Sequence, residues 1–157
     1  MAENQDEKWM RVALQEANLA LKKKEVPVGA VVVYQDKIIG RGHNQTETLN
    51  DPTAHAEILA IGAAANYLNS WRLSEAVLYV TLEPCAMCAG AIVLSRIKRL
   101  VFGAFDPKAG ACGSLYNLVQ DARLNHQVEV VPEILKEDCS ALLQTFFKEL
   151  REVRNEP

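Results

Sequence analysis

No apolar run in this chain approaches the length needed to cross a bilayer, so no helical membrane span is expected. Cysteine is scarce. Four residues, two of them claimed by a motif described below, argue for a reducing cytoplasm and against a disulfide framework. Positive charge is in short supply too: 17 Lys and Arg face 20 Asp and Glu, a formal net charge of −3. That balance counts against a nonspecific nucleic-acid binder. Internal repeats, linkers and low-complexity stretches are missing, so one domain spanning residues 1–157 is expected. The polar start, Met1 to Lys8, lacks the apolar core of a signal peptide. What is present is ordinary for a soluble protein, 49% hydrophobic and 24% charged, and the chain is long enough to bury a core without staples.

From about Gln5 to Lys24, Met10, Ala13, Leu14, Ala17, Ala20 and Leu21 recur at helical spacing, and Pro27 forbids continuation. Val28 to Tyr34 and Lys37 to Gly40 form a strand hairpin. A polar loop, His43 to Asp51, precedes a helix over about Ala54 to Leu68, for which Thr53 is a fitting N-cap. Ala76 to Leu82 is the next strand. A helix from Cys85 to about Ser95 follows, then a strand from Arg99 to Gly103. Leu115 to Gln120 suits a short helix and Gln127 to Val131 a last strand. Glu133 to Arg154 closes the chain as a helix whose Leu142, Leu143, Phe146, Phe147 and Leu150 turn mostly inward. Alternating strand and helix predicts an α/β architecture, with helices on both faces of a sheet that is parallel in part.

The chemistry is concentrated in His55-Ala56-Glu57 and, some thirty residues on, Pro84-Cys85-Ala86-Met87-Cys88. His-x-Glu followed by Pro-Cys-x-x-Cys is the pattern of the zinc deaminases. One imidazole and two thiolates give one zinc per chain three protein ligands, His55, Cys85 and Cys88, and leave a fourth tetrahedral position open, as catalysis requires. Glu57 is then the proton shuttle between water, the base nitrogen and the departing amine. Two residues apart on a helix do not share a face, so His55 and Glu57 converge only in a first helical turn. Cys85 and Cys88, at i and i+3, do share one. A structural zinc site would want a fourth protein ligand, and His43, His126, Cys112 and Cys139 lack finger-like spacing to this pair.

Other residues carry two readings each. Asn44 suits hydrogen bonding to a base edge with both halves of its amide, or support of its own turn. His43 is expected at the surface, and Cys112 and Cys139 as reduced structural thiols. Arg96-Ile97-Lys98-Arg99 and Lys148, Arg151, Arg154 are local basic groups, solvated by default but usable by a specific RNA. The turn-rich segment from Ala104 to Gly110 lies beyond a strand end, where functional loops concentrate.

Taken together, Glu25-Val26-Pro27-Val28-Gly29-Ala30, Asn44, Asp51 to Ile58, Glu83 to Ala91, Leu94 to Ile97, Val101 to Ala104, Gly110 to Ser114 and Leu124 to His126 resemble the bacterial tRNA-specific adenosine deaminases, which make inosine at the wobble position. The resemblance implies a three-layer α/β/α cytidine deaminase-like fold with a five-stranded mixed sheet. It implies a cytoplasmic homodimer with active sites near the subunit interface, and the anticodon arm of tRNA as partner. Asn44 becomes a base contact, and Asp106, Phe146 and Phe147 become candidates for contacts to the flipped nucleotide and its neighbours. For Asp106 the contact would be to a 2′-hydroxyl, against a turn-forming role in Asp106-Pro107. Phe105 departs from the basic residue often found at its position in the family. A free-base deaminase for guanine or cytosine would share the metal motif and act without RNA. A zinc-stabilised RNA-binding module would bind and release no ammonia.

Overall fold

The computed structural model describes residues 4–155, so the first three residues of the polar start lie outside it. In chain order the elements are α1 (Gln5–Lys22), β1 (Gly29–Tyr34), β2 (Lys37–His43), α2 (Thr46–Leu49), α3 (Ala56–Leu68), β3 (Val77–Leu82), α4 (Ala86–Leu94), β4 (Arg99–Ala104), β5 (Glu129–Val131) and α5 (Lys136–Arg154). None of these helices is long and apolar enough to cross a membrane.

The five strands form one mixed sheet in the order β2-β1-β3-β4-β5. β1 is antiparallel to both of its neighbours, and β3, β4 and β5 run parallel. Side chains alternate across the sheet, which divides the apolar residues between two cores. Val32, Leu78, Val80, Leu100 and Phe102 face Ala60, Ala64 and Ile92 of α3 and α4. Val31, Val33, Tyr79 and Val101 face Trp9, Met10 and Ala13 of α1 and Cys139 of α5. The result is the expected three-layer α/β/α arrangement. Asn4 starts α1 by accepting the Asp6 amide at 2.8 Å. Asp6 then ties that helix to the sheet, taking Arg99 at 2.6 Å and the Tyr79 hydroxyl at 2.9 Å.

Several expectations need correction. β2 continues past Gly40 to His43, although Gly40-Arg41-Gly42 is poor strand composition. The glycines serve packing: a Cβ on Gly42 would strike the Ala56 carbonyl and lie 2.8 Å from the Ala60 amide. Helix α3 meets the strand there at backbone distance. Thr53 does not cap α3, because Asp51 holds its amide and its hydroxyl, each at 2.8 Å, in a separate turn. The polar loop contains α2, whose leading amides, Glu47 at 3.1 Å and Thr48 at 2.6 Å, are accepted by the buried carboxylate of Glu25. That cap comes from 22 residues away and leaves no local signal. The Leu115–Gln120 segment holds one 3₁₀ turn at Leu118–Gln120. His43 is buried, its Nε2 3.0 Å from Lys23 Nζ. Finally, on α5 Leu142, Leu143, Phe146 and Leu150 are partly buried, in keeping with an inward face, and Phe147 departs from it. Cys139 is its one buried residue, and Phe147 is 43% exposed.

Candidate metal centre and the cavity beside it

β3 delivers Glu83-Pro84-Cys85 beyond its C-terminal end. Cys85 is the N-cap of α4, with Cys88 in the first turn. His55, in extended conformation, is the N-cap of α3. The two helices therefore start facing one another. His55 Nδ1 lies 3.6 Å from Cys85 Sγ and 3.6 Å from Cys88 Sγ. Zn–S near 2.3 Å and Zn–N near 2.0 Å at a tetrahedral angle separate nitrogen and sulfur by about 3.5 Å, so these two nitrogen–sulfur spacings fit zinc closely. All three donor atoms fall within 4.8 Å of one another, and no other such His, Cys, Asp or Glu group occurs among the described residues. His43, His126, Cys112 and Cys139 stay out of it; His126 contacts the Ile97 carbonyl at 2.6 Å instead. Hydrogen bonds from Cys88 and then His55 hold the Cys85 thiol down at about 3. The bond with Cys85, together with burial, pushes the Cys88 thiol up, and the same Cys85 contact raises His55. Two helix N-termini favour negative charge at this spot.

Glu57 follows in the first turn of α3 and is only 4% exposed. Burial pushes its carboxyl up to about 7, against the pull of its own amide and of His55. A carboxyl so placed exchanges a proton readily near neutrality. Asn44 stands just beyond β2, and its Oδ1 accepts the Ala56 amide at 2.8 Å, the first orphan N–H of α3. Its Nδ2 has no partner among the described residues. The oxygen of Asn44 thus supports the start of α3, and the amide nitrogen is free to donate to a ligand.

Beside the cluster lies a cavity of about 790 Å³ bounded by Phe105, Asp106, Lys108, Phe147, Arg151 and Arg154 among others. None of the cluster residues lines it. Between the two runs the 105–114 loop: its start walls the cavity, while Gly110 pairs as an isolated bridge with Cys85. Asp106 Oδ1 accepts the Lys108 amide at 3.0 Å and the Ala109 amide at 3.3 Å, so this residue forms a turn and also faces the cavity. Phe105 packs edge-to-face on Phe102 at 5.1 Å. The phenylalanine pair divides. Phe147 lines this cavity, whereas Phe146 faces a smaller one of about 230 Å³ against Leu21 and Lys24 of the α1 end. Of the C-terminal basic group, Arg151 and Arg154 reach the cavity and Lys148 does not.

A family model described as MafB19-like deaminase matches residues 4–151. The tRNA-specific adenosine deaminase of Bacillus subtilis is 56% identical over 147 residues, covering 94% of this chain and 91% of the relative. That of Haemophilus influenzae is 53% identical over 148 residues, covering 94% and 86%. This chain belongs to the tRNA-specific adenosine deaminase family. The fold agrees: a structure from a study of A-to-I editing by tRNA:A34 deaminases at the wobble position of transfer RNA superposes with a TM-score of 0.84 at 44% identity. It covers 87% of this chain and 99% of that one.

For a member of this deaminase family, three residues at the site escaped the sequence reading. Lys108 adds a third cation to the cavity wall. Glu25 and Glu83 are buried carboxylates with no Lys or Arg among their bonded partners. The available signal was weak: a carboxylate beside an apolar strand must find donors, but nothing local says which. The basic stretch 96–99 is used internally, with Arg99 on Asp6, Lys98 on Glu75 and Arg96 on the Val93 carbonyl.

Proposed function

We propose that this chain is one deaminase domain over residues 1–157 that hydrolyses adenosine to inosine, with loss of ammonia, at the wobble position of tRNA. The observation carrying the reading is the convergence of His55, Cys85, Cys88 and the buried Glu57 on two facing helix starts, beside a cation-lined cavity. The relatives named above support adenosine in tRNA as the substrate.

His55 Nδ1 and the sulfurs of Cys85 and Cys88 would hold one zinc ion, which as a Lewis acid lowers the pKa of water enough for attack near neutral pH. Glu57 accepts the water proton on its carboxylate, passes it to the purine ring nitrogen, and serves the exocyclic amine as it leaves. Burial at the start of α3 holds that carboxyl in place and favours its taking up the proton. The Asn44 amide nitrogen donates to the base, with its oxygen fixed by Ala56. The anticodon arm binds in the basic cavity, where Arg151 and Arg154 meet phosphate and Phe147 offers a stacking face. Asp106 borders the same cavity and is proposed to sit beside the flipped nucleotide, while Phe146, on the far side of α5, supports that helix.

Two further parts belong to the proposal. The outward faces of α3 and α4 are apolar and uncovered: Leu94 is 68% exposed, and Gly62 and Gly90 have open space where a side chain would begin. A second copy of the chain, forming a homodimer, is the occupant proposed. All four cysteines are free, which supports a cytoplasmic setting. The deciding experiment incubates the zinc-loaded protein with total tRNA and, separately, with free guanine, cytosine and adenine, assaying inosine and ammonia. Inosine in tRNA with silence on free bases is expected. Ammonia from a free base alone points to the free-base deaminase instead, and RNA binding with no ammonia to a non-catalytic module.

A further inference from the structure

Glu83 is buried at the end of β3, two residues before Cys85, and its carboxylate gathers one loop around itself. Oε1 accepts the Asp106 amide at 2.8 Å, and Oε2 accepts the amides of Cys112 at 3.0 Å and Ser114 at 2.9 Å. The Ser114 hydroxyl adds a fourth bond, to Oε1. Those three amides come from both ends of the 105–114 segment, so the loop closes over a single side chain. Gly110 passes directly above it, where a Cβ would collide with the carboxyl group. The opposing pull of burial is overcome by these donors, and the carboxyl stays below its usual range. None of the partners carries a formal charge. The loop's order is therefore purchased by one anion and four neutral donors, a charge-assisted set stronger than ordinary loop hydrogen bonds.

The loop's position gives that anchor a consequence beyond stability. Phe105, Asp106 and Lys108 wall the basic cavity, and Gly110 is bridged to Cys85 of the metal centre. We propose that Glu83 is a positioning residue for the substrate. By fixing the 105–114 loop, it registers a polynucleotide bound in the cavity against the metal centre, without touching substrate or metal itself. The inference rests on the RNA-deaminase reading given above. Glutamine in its place keeps the shape but turns an NH₂ toward amides that can only donate, so at least one end of the loop is released. The ordering that Glu83 now supplies must then come from binding, which raises KM and spares kcat.

The test uses zinc-loaded Glu83→Gln and measures three quantities. These are zinc per chain, steady-state deamination of an anticodon-arm RNA, and hydrogen exchange of the Asp106, Cys112 and Ser114 amides. The expected result is one zinc per chain, lost protection at those amides, and KM raised about tenfold or more with kcat within about threefold, the scale of one hydrogen bond to a charged group. Gly110→Ala, which pushes the loop off an intact carboxylate, should raise KM similarly. The two changes together should do little more than either alone, because both act through one contact. Freed amides with unchanged KM would overturn the proposal, as would loss of zinc from Glu83→Gln. If that variant fails to fold, Ser114→Ala, which removes one donor and leaves the carboxylate, takes its place. A rise in KM of about two- to fivefold is expected there, and no rise overturns the proposal. Wild-type protein that makes no inosine would sink the deaminase reading alone. The amide exchange and the affinity of Glu83→Gln for the same RNA would still decide the loop.

Discussion

Helices α3 and α5 lie on opposite faces of one sheet and are built to different standards. α3 buries Ala56, Glu57, Ala60 and Ala64, and meets β2 at backbone distance across Gly40 and Gly42. α5 fully buries Cys139 alone, and beside a wide cavity it leaves Leu143 and Leu150 partly buried and Phe147 exposed. In the proposed function the chemistry sits on the tightly packed helix and RNA is met by the loosely packed one, whose Arg151 and Arg154 line the cavity. Proton transfer and metal binding need atoms held within a fraction of an ångström, which close packing supplies. A polynucleotide is held by charge and stacking over a broad surface, where adaptable side chains on one helix face suffice.

The sharpest way to break this comparison is at the metal centre. Glu57→Gln should fold, hold one zinc and bind RNA, while its rate of inosine formation falls by at least ~10²-fold, the low end for a positioned acid–base group. Cys88→Ala should lose zinc and activity together, whereas Cys112→Ala keeps the metal. Near-wild-type turnover in Glu57→Gln, with metal analysis unchanged, would remove Glu57 from its role.

Packing comes next. Gly42→Ala forces α3 away from β2 and should destabilise the protein by about 1–3 kcal/mol, the usual cost of overpacking. Urea unfolding measures it, and zinc affinity should weaken as well, because Ala56 adjoins His55. An unchanged midpoint would mean that α3 slides without penalty, and the contrast with α5 would lose its basis.

On the α5 side the pattern should reverse. Arg151→Glu combined with Arg154→Glu should move stability by no more than about 0.5 kcal/mol, as for exposed positions generally. RNA affinity should drop, and the salt dependence of binding should flatten by about one to two units of slope. Equal affinity at low salt would make these arginines a solvated face and nothing more.

The effect farthest from the site concerns the tie between α1 and the sheet, and it carries a pH signature. Arg99 holds the Asp6 carboxyl below its usual value, in spite of burial, with Tyr79 helping. A depressed folded pKa means that the contact contributes fully above the unfolded value, about 3.9, and fades as pH falls through the folded one. Asp6→Asn should therefore cost about 1–2 kcal/mol at pH 7. Its gap to wild type should close below about pH 4. A gap independent of pH, read from urea midpoints, would assign the loss to packing.

The sequence by itself determined the elements that local chemistry governs. The continuous apolar runs rich in β-branched residues become strands, the 3.6-residue periodicity of Met10, Ala13 and Ala17 becomes a buried helix face, and α1 ends at Lys22, ahead of Pro27. It also singled out His55, Cys85 and Cys88, which the fold brings together as a group able to hold a metal ion. The tertiary structure alone decided which groups answer each other across long separations. It gave Glu25 the amides of α2, Glu83 the two ends of the 105–114 loop, and Asn44 the first amide of α3. It sent Phe146 and Phe147 into different cavities and pulled His43 out of solvent onto Lys23. The division has a physical cause. Helix and strand preference is summed over neighbouring residues and can be read along the chain, whereas a buried polar group bonds whichever donor the fold brings within reach.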